Sequence, residues 1–480
     1  MSTLESGKLE LAGSVESKEE KFWKISDAIW SYAELGLEEY KSSKILADTL
    51  EEAGFRVERG VADMPTAFVA SWSHGTGKPV IGFLAEYDAL PMCSQKPGSP
   101  IHDPVVPGAL GHGCGHNAMG AMQALSVITL QEMMKRQGMS GTLKYFGSPA
   151  EEMLVSRPYM VRAGLFKGVD AAIDCHTWDR FRVHYGVESS AMYSFIVIFK
   201  GKTAHAGFAP WEGRSAADAV ELLHAATERM REHLPTTQRC HWVTLEGGEA
   251  PNVVPDRSST WYFIRDTDEN LEKNFRWVMD CVKGAALMTQ TTSEVRVLTG
   301  IHQRFSNRGL AELIFENMSL VGKPVHTEEE EAFARALQKG IGVPVKGLDY
   351  PVEITSPKTA PPTMGSSDVG DVTLVVPTAT LRFPGFVPGF VVHSWVVTAS
   401  VATSITHKGI TAAAKVAAFT AYDLLTKPER LAQIRTEFEE LSKERPYRSF
   451  LPDDARPPLG INTSLMEKYR AEMERLYRAP

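Results

Sequence analysis

Residues 77–91 read GKPVIGFLAEYDALP, and this stretch decides the fold. From Val80 to Ala85 every residue is apolar or glycine, which is the pattern of a β-strand buried on both faces of a sheet. The run ends in two acids, Glu86 and Asp88. In open α/β sheets, binding sites lie outside the carboxyl ends of the strands. The stretch therefore predicts a central strand that delivers carboxylates to a site.

Two later stretches repeat this arrangement. They read GTLKYFGSPAEE and GVDAAIDCHTW, and each is a strand-like apolar run with polar residues at its end. Three strand ends thus supply acids, a thiol and an imidazole, and together they indicate an active site more strongly than any single motif. The polar residues that the two later strands supply are Glu151, Glu152, Asp174, Cys175 and His176.

A candidate metal-binding turn lies between these strands, where residues 108–120 read GALGHGCGHNAMG. Cys114 and His116 stand two residues apart, just before the helical pattern AMGAMQALSVITLQEMMKRQ. Glycine permits the close turn and positive φ values that let both side chains converge. Thiolate and imidazole suit zinc or a related transition metal, and carboxylates tolerate manganese. With the acids of the strand ends, the turn predicts a site for two metal ions about 3.5–4 Å apart.

Two other interpretations of this turn compete with the metal site. A cysteine protease would use Cys114 as nucleophile with a histidine as base, but that leaves the cluster of acids without a role. Alternatively, Cys114 and His116 only cap and pack the start of a helix. The metal interpretation is favoured because acids on neighbouring strand ends accompany the turn.

The adjacent acids Glu151 and Glu152 need separate roles, because neighbouring residues on a turn point in different directions. One can bind a metal ion while the other faces the substrate as a general base toward a metal-activated water. The alternative is a solvated acidic pair at a helix N-terminus, where the helix dipole favours negative charge. Their position at the end of a buried strand favours the catalytic interpretation.

The composition excludes several classes of protein. A chain of 480 residues that is 43% hydrophobic and 23% charged is ordinary for a soluble globular protein. The net charge of −8 and the lack of a Lys/Arg block argue against nucleic acid or an anionic membrane as partner. We find neither a secretory signal pattern nor a run of about 18 apolar residues. Five cysteines, sparse and odd in number, indicate reduced thiols in a cytoplasmic protein.

The order of patterns predicts a catalytic part, an inserted small domain and a second catalytic part. Strands and two helices alternate between about 188 and 305, which is typical of a small α+β sandwich. We therefore place the first catalytic part at 1–188 and the inserted domain at 189–305. The second catalytic part, with a C-terminal helical appendage, follows at 306–480.

The ordered motifs resemble the M20 metallopeptidase family. The similarity is to its amidohydrolase branch, and within that branch to the p-aminobenzoyl-glutamate hydrolase type. No single motif is decisive, but the ordered set is specific and runs from about residue 20 to 425. The matching stretches are YAELGLEEYKSS, FLAEYDALP, GHGCGHN, GSPAEE, DCHTW, GKTAHAGFAPWEGRSAADA, NVVPD, MGSSDVGDV, HSW and THKGITAAAKVAA.

The resemblance implies a fold and a cofactor. The fold is an α/β catalytic domain, with a zinc-peptidase-like mixed sheet flanked by helices, and an inserted α+β lid and dimerisation domain. The cofactor is a pair of divalent metal ions per subunit, Mn²⁺ or Zn²⁺. Asp88 would orient a metal ligand and Glu151 would be the general base. The implied metal ligands are Cys114, His116, Glu152, His176 and one later histidine.

The later histidine has two candidates, His393 in VVHSW and His407 in ITHKG. His393 matches the branch better, which leaves His407 to help bind substrate or to cap the following helix. In the inserted domain, His205 of KTAHAG matches a family histidine that reaches the active site, often that of the partner subunit, and polarises the scissile carbonyl. Asn252 and Arg265 match lid residues that contact substrate, and Arg265 could hold a carboxylate. A surface-exposed Arg265 is the alternative.

Four positions depart from the pattern of the branch. The usual CGHDxH reads CGHNAM here, with Asn117 and Met119, and the usual G-S-E-D reads GSSD, with Ser367 in place of an acid. Asn117 is tolerated in the glutamate hydrolase type and moves the chain away from hippurate and auxin-conjugate hydrolases. Glu86 stands where the di-zinc peptidases have histidine and this branch usually aspartate, and its role stays open.

The resemblance implies a metal-dependent amidohydrolase that cleaves small N-acyl or N-aroyl amino acids of the p-aminobenzoyl-glutamate kind. One alternative is a dipeptidase, or an aryl or indole amide hydrolase that acts on a secondary metabolite or xenobiotic. The other is a non-catalytic partner subunit of a hetero-oligomeric hydrolase. The expected partners are a small amide substrate, a second copy bound through the lid and, in some cases, a related partner chain.

Overall fold

The computed structural model describes residues 5–390 and 392–479, and this part of the chain contains two separate larger sheets and one short strand pair. The described strands, in chain order, are β1 Arg56–Arg59, β2 Phe68–His74, β3 Val80–Ala85, β4 Gly141–Gly147, β5 Ala171–Trp178, β6 Phe181–His184, β7 Gly186–Val187, β8 Ala191–Lys200, β9 Arg239–Glu246, β10 Arg257–Asp266, β11 Thr292–Ile301, β12 Phe305–Ser306, β13 Val352–Thr355 and β14 Thr378–Pro384.

Helices pack against both larger sheets. The described α-helices are α1 Ser6–Glu16, α2 Glu19–Tyr32, α3 Tyr40–Glu52, α4 His116–Gln137, α5 Ser156–Arg162, α6 Ala216–Arg231, α7 Asp268–Thr289, α8 Arg308–Val321, α9 Glu328–Gly340, α10 Val369–Thr373, α11 Trp395–Ser400, α12 Ser404–Thr426, α13 Pro428–Glu444 and α14 Thr463–Leu476. Among the described residues, none of these helices is long and apolar enough to cross a membrane.

The main sheet is mixed, with the strand order β1-β2-β4-β3-β5-β14-β6-β13. Its centre is parallel, because β3 pairs with β4 and β5 and β14 pairs with β5 in the same direction. The carboxyl ends of these four strands therefore meet at one edge of the sheet. This confirms the predicted α/β fold with a mixed sheet flanked by helices.

Strand β3 shows why the opening stretch of sequence is apolar throughout. All six of its residues are buried. Ile81, Phe83 and Ala85 pack into a core cluster with α4 and α12. Val80 and Leu84 point the other way, into a second cluster that includes residues of α5 and α10. Successive side chains of a strand point to opposite faces, so a strand covered on both faces has no position for a polar residue before its end.

Residues 191–301 contain the smaller sheet, which is antiparallel and has the strand order β11-β8-β10-β9. Helices α6 and α7 cover one face and share an apolar core with it, built around Phe195, Tyr262 and Val278. Two adjacent segments, 188–190 and 302–304, join this unit to the main sheet. The backbone N–H of Glu188 donates to the carbonyl of Arg304 at 3.0 Å, and Gln303 Nε2 donates to the carbonyl of Ser189 at 3.2 Å.

Apolar residues recur at helical spacing between residues 19 and 54, which predicts helix, and the structure contains two helices there, α2 and α3. Ala33 ends α2 in the left-handed conformation, with φ 40°. Helix α1 precedes them and was not predicted, because its sequence SGKLELAGSVE has little amphipathic pattern. It nevertheless buries Leu11 and Val15 in the core cluster of the main sheet, so tertiary packing decides its conformation.

Helix α14 packs back onto the first part of the chain. Met466 and Met473 lie in an apolar cluster with Ala33, Leu35 and Leu110. Just after the helix, Tyr477 donates its hydroxyl hydrogen to the carbonyl of Leu110 at 2.6 Å. Leu110 lies four residues before Cys114, so α14 supports the loop that carries the predicted metal ligands.

Candidate metal centre

The glycine-rich turn before α4 needs its glycines. Gly115 has φ 79° and precedes the first residue of the helix, His116. A Cβ on Gly115 would lie 2.8 Å from Thr177 Cγ2, and one on Gly111 would lie 2.1 Å from the carbonyl oxygen of Cys93. Thr177 also donates its hydroxyl hydrogen to the carbonyl of Gly115 at 2.7 Å. These close approaches hold the turn against the end of β5.

The turn brings Cys114 and His116 next to His176, at the end of β5. The Cys114 sulfur lies 3.6 Å from His176 Nε2, and the two imidazole rings meet edge to face with centroids 5.5 Å apart. One ligand atom from each of the three residues lies within 4.8 Å of the others. Thiolate and two imidazoles form a donor set suited to zinc or a similar cation.

A second set shares Cys114 and adds Glu152 and His393. Its ligand atoms also lie within 4.8 Å of one another, and His393 Nε2 is 3.1 Å from Glu152 Oε2. His393 has φ 67°, a conformation rare for a residue with a side chain. Its backbone N–H donates to the carbonyl of Gly113 at 2.7 Å, which ties the loop of His393 to the glycine-rich turn.

Both sets contain a buried polar atom that no other described residue satisfies. These atoms are His116 Nε2 and Glu152 Oε1. A buried polar group without a partner is costly. A cation would supply the missing contact for the lone pair of the imidazole nitrogen and for that of the carboxylate oxygen. The residues present therefore fit a pair of divalent metal ions, and Cys114 belongs to both ligand sets.

Asp88 joins the two sets. It accepts a hydrogen bond from His116 Nδ1 at 2.9 Å, and one from the backbone N–H of Glu152, also at 2.9 Å. Burial alone would raise the pKa of Asp88, but the hydrogen bond from His116 holds it below its ordinary value. The carboxylate therefore stays ionised and orients one residue of each set.

Glu151 is buried beside these residues and lies in neither set that contains Cys114, although its carboxylate forms a third group of close ligand atoms with Glu86 and His116. Its carboxylate is 4.0 Å from His116 Nε2. Burial raises the pKa of Glu151 well above its ordinary value, and the negative charge of Glu86 adds to the rise. A carboxyl group with a raised pKa at the wall of a cavity has the properties of a general acid and base.

Glu86, whose role the sequence left open, is held by a fully buried arginine. Arg157 Nη1 lies 2.6 Å from Glu86 Oε2 and 2.5 Å from Asp368 Oδ1. The other Glu86 oxygen lies 3.4 Å from His116 Nε2. Sequence reasoning missed both Arg157 and Asp368. Asp368 directly follows the Ser367 that replaces the acid of the family motif, which was the one signal available.

A cavity of about 250 Å³ opens onto the two ligand sets. Strand β10 of the smaller sheet contributes Arg265 to it, and the main sheet contributes Trp178 and Arg382. Arg304 comes from the segment that joins the two units. Sequence reasoning singled out neither Arg304 nor Arg382. The residues that line the cavity are Cys114, Glu151, Glu152, Leu154, His176, Trp178, Ser189, Arg265, Arg304, Thr363, Gly365, Ser366, Ser367, Arg382, Val392 and His393.

Three residues expected to bind or polarise substrate lie elsewhere. His407 Nε2 donates a hydrogen bond to Asp27 Oδ1 at 2.9 Å, and the imidazole stacks on Trp23. It lies in the first turn of α12, contacts α2 and does not line the cavity, and its substrate role stays a prediction. His205 and Asn252 are exposed and lie in the unit that contains the smaller sheet. The backbone N–H groups of residues 207 and 208 donate to His205 Nδ1, and neither His205 nor Asn252 lines the cavity of its own chain.

Comparison with known proteins identifies relatives along most of the chain. Residues 82–418 match peptidase family M20/M25/M40. The chain is 34% identical to one subunit of the p-aminobenzoyl-glutamate hydrolase of Escherichia coli (strain K12), over 92% of this chain and 97% of that protein. It is 27% identical to Xaa-Arg dipeptidase of Homo sapiens, over 93% of this chain and 95% of that protein.

The fold also matches that of a dinuclear metal binding peptidase of the M20 family from Bacillus subtilis. The TM-score is 0.55 at 16% identity, with 86% of this chain and 99% of the other covered. At this identity the likeness concerns the fold alone. That fold carries two metal ions in the relative, and the shared-cysteine arrangement described above offers two sets of ligands in this chain.

Proposed function

The chain belongs to peptidase family M20/M25/M40 and is a metal-dependent amide-bond hydrolase, and from this premise we propose that it cleaves small N-acyl or N-aroyl amino acids. The observation that carries the proposal is the pair of ligand sets around Cys114 with Glu151 beside them at the wall of the cavity. Such a site suits amide hydrolysis, in which metal ions polarise the amide carbonyl and a neighbouring carboxyl group transfers the proton.

Each of the two ligand sets would bind one cation. Cys114, His116 and His176 would hold one, and Cys114, Glu152 and His393 would hold the other. Manganese and zinc both suit this mixture of sulfur, nitrogen and oxygen donors. When bound, the ions polarise the amide carbonyl and make water a stronger nucleophile near neutral pH. Asp88 keeps His116 in the tautomer whose Nε2 lone pair is available, because Nδ1 donates to the carboxylate.

Glu151 carries the proton in this proposal. Its carboxylate takes a proton from the attacking water and then gives it to the nitrogen of the leaving amine. Two features support this role. Glu151 lines the cavity and, among the described residues, lies in none of the ligand sets that contain Cys114. Its raised pKa means that the protonated form is accessible at the moment of transfer.

The lid supplies groups that bind and polarise the substrate. Arg265 lines the cavity, and no described acidic side chain forms an ion pair with it, so its guanidinium is available for the substrate carboxylate. We place His205 and Asn252 at the active site of a second copy of the chain, because both are exposed and outside the cavity of their own chain. The resulting assembly is a homodimer through the lid, in which each subunit completes the other's site.

An aroyl-glutamate is the first substrate that we propose, supported by the relative whose name gives p-aminobenzoyl-glutamate as its substrate. A dipeptidase is the second candidate, because the human relative is a dipeptidase. A heteromeric assembly is also consistent with the first relative, which is named as one subunit of its hydrolase. We place the protein in the cytoplasm, where thiols such as the five free cysteines stay reduced.

The experiment that tests this function is hydrolysis of a mixed panel of N-aroyl amino acids, N-acyl amino acids and dipeptides. The purified chain is loaded with manganese or zinc, and products are identified by mass spectrometry. Cys114→Ser should abolish cleavage, whereas Cys281→Ser is the matched control, because Cys281 lies on α7 away from the cavity. No cleavage of any panel member with either metal, with or without a related partner chain, would contradict the proposal.

A further inference from the structure

Two buried arginines form one wall of the cavity. Arg304 and Arg382 expose only 6% and 8% of their surfaces, and both line the cavity beside His176 and Trp178. Arginines this deeply buried are uncommon unless acidic groups pair with them, because removal of the charge from water is costly. Neither residue takes part in the proposed chemistry, so their place in this wall requires another explanation.

Strand pairing places Arg382 directly beside a proposed metal ligand. β14 runs parallel to β5, and Arg382 is the register partner of His176. Paired residues on neighbouring strands point to the same face, and the strands are about 4.8 Å apart. The Arg382 guanidinium lies over the ring of Trp178, 5.5 Å from its centroid. A molecule held at the ligand sets therefore contacts this wall.

The two guanidiniums share an acidic partner that lies outside the cavity. Glu188 is the carboxylate that both contact: one oxygen lies 3.0 Å from Arg304 Nε, and the other pairs with Arg382 Nη1. Glu188 does not line the cavity, so it holds the arginines from behind. Asp174 is farther away, 3.9 Å from Arg304 Nη1, and Thr380 donates a hydrogen bond to it. The surface that these two arginines turn toward the cavity is therefore cationic.

The crowding of positive charge is visible in the pKa values. Burial lowers the pKa of Arg382 to about 10, and the neighbouring charges of Arg304 and Arg182 act in the same direction. Burial would raise the pKa of Glu188, but the two arginines lower it to about 2. One carboxylate behind the pair thus stays ionised over the whole working range, and a second carboxylate in front would relieve the remaining repulsion.

We propose that Arg304 and Arg382 form a second carboxylate site, which binds the side-chain carboxylate of an acidic amino acid in the substrate. This inference rests on the proposed function, because it assumes an amide whose reacting carbonyl lies at the ligand sets. Arg265 approaches from the lid and takes the main-chain carboxylate, while the arginine pair approaches from the sheet. Two cationic walls on one cavity select a dicarboxylate, and they disfavour a dipeptide that ends in arginine.

Binding measurements test this proposal independently of turnover. The Glu151→Gln chain, loaded with manganese, is titrated calorimetrically with N-benzoyl-L-glutamate and with N-benzoyl-L-glutamine, which have the same shape but differ in charge. Loss of a charge-assisted hydrogen bond predicts roughly ten- to hundred-fold weaker binding of the glutamine ligand. Adding Arg382→Gln should reduce that preference to less than about threefold. Arg182→Gln is the matched control, because Arg182 is the neighbour of Arg382 on β6 but does not line the cavity.

Each outcome decides the matter. Equal affinity for the two ligands, or no binding of either, would overturn the carboxylate site. If the wild-type chain nevertheless hydrolyses amides in the panel, the proposed function stands without it. Because Arg382→Gln leaves Glu188 with fewer partners, Arg382→Lys and Arg304→Lys provide variants that keep the charge and should keep part of the preference. The comparison of ligands on the Glu151→Gln chain alone requires neither arginine to be altered.

Discussion

Asp88 accepts a hydrogen bond from Nδ1 of His116 at 2.9 Å, and through its other oxygen it accepts the backbone N–H of Glu152. The two donors come from different elements, the first turn of α4 and the loop after β4. One carboxylate at the end of β3 thus fixes a residue of each ligand set. The relationship explains why the opening stretch of sequence needs an acid two residues beyond Glu86.

Replacement of Asp88 by Asn should weaken metal binding without removing a ligand. The amide can also donate to His116 and so favours the wrong tautomer, and such changes typically cost roughly 10- to 100-fold in metal affinity. Metal content after dialysis against a graded chelator measures the effect. Asp170→Asn is the control, because Asp170 is also buried but bonds Val80 at the opposite end of the sheet. Unchanged metal affinity in Asp88→Asn would contradict the positioning role.

Glu151 and Glu152 should behave differently when each becomes glutamine. Glu151→Gln keeps both ligand sets and should retain metal while its kcat falls roughly a hundred- to ten-thousand-fold, as expected for loss of a proton carrier. Glu152→Gln weakens the set that contains His393 and should lose metal together with activity. Metal analysis and steady-state kinetics on the same preparations separate the two. Equal metal loss in both variants would assign Glu151 to the ligands instead.

Arg157 should be among the most sensitive positions for folding. Arg157→Met removes the cation between Glu86 and Asp368, which leaves two carboxylates buried without their shared partner. Breaking a buried ion pair from one side costs about 3–5 kcal/mol in the free energy of unfolding. Denaturant titration followed by circular dichroism measures it. Arg180→Met, at a partly exposed pair with Asp179, should cost less than about 1 kcal/mol. Similar losses in both variants would contradict the argument.

Removal of metal should lower thermal stability. Four acidic side chains, Glu86, Asp88, Glu151 and Glu152, lie around the His116 imidazole, and their mutual repulsion is unfavourable without cations. A ligand present at 100 times its Kd stabilises the fold by about 2.7 kcal/mol, and with an unfolding entropy of about 2.1 cal/mol/K per residue a chelator should lower Tm by about 3 °C or more. Differential scanning fluorimetry with and without chelator measures it. Cys114→Ser should show a much smaller difference; a full shift in that variant would place the stabilising ion elsewhere.

Complementation between two inactive variants should reveal whether His205 acts on the partner's site. Co-expressed His205→Ala and Glu151→Gln chains form mixed dimers in which one site has both residues intact. With random pairing, about a quarter of the wild-type specific activity should return. Each variant alone should remain inactive. Absence of recovery in dimers isolated by two different affinity tags would show that the histidine does not act across the interface.

The parts of the site that the sequence revealed share one property: their residues follow recognisable local patterns. Cys114 and His116 lie in one turn, and Glu152 and His176 directly follow apolar runs that only a buried strand explains. Arg157 has no such signal, since its partner Asp368 is 211 residues away. Arg382 and His407 show the same limit. Both stand near the ends of apolar patterns, yet strand register turns one toward the cavity and helix phase turns the other toward α2.

The contact between Tyr477 and Leu110 spans 367 residues and has a consequence for how the protein is made. At about 5–20 residues per second, the ribosome takes roughly 20–70 s to synthesise the residues between them. During that interval the turn with Cys114 exists without the support of α14, and without His393 for most of the time. The Cys114 thiol of the nascent chain therefore has to stay reduced, without its full set of neighbouring ligands, until the later residues are synthesised. Faithful assembly of the site thus depends on the redox state and metal supply around the ribosome, and not only on the folded enzyme's own affinity.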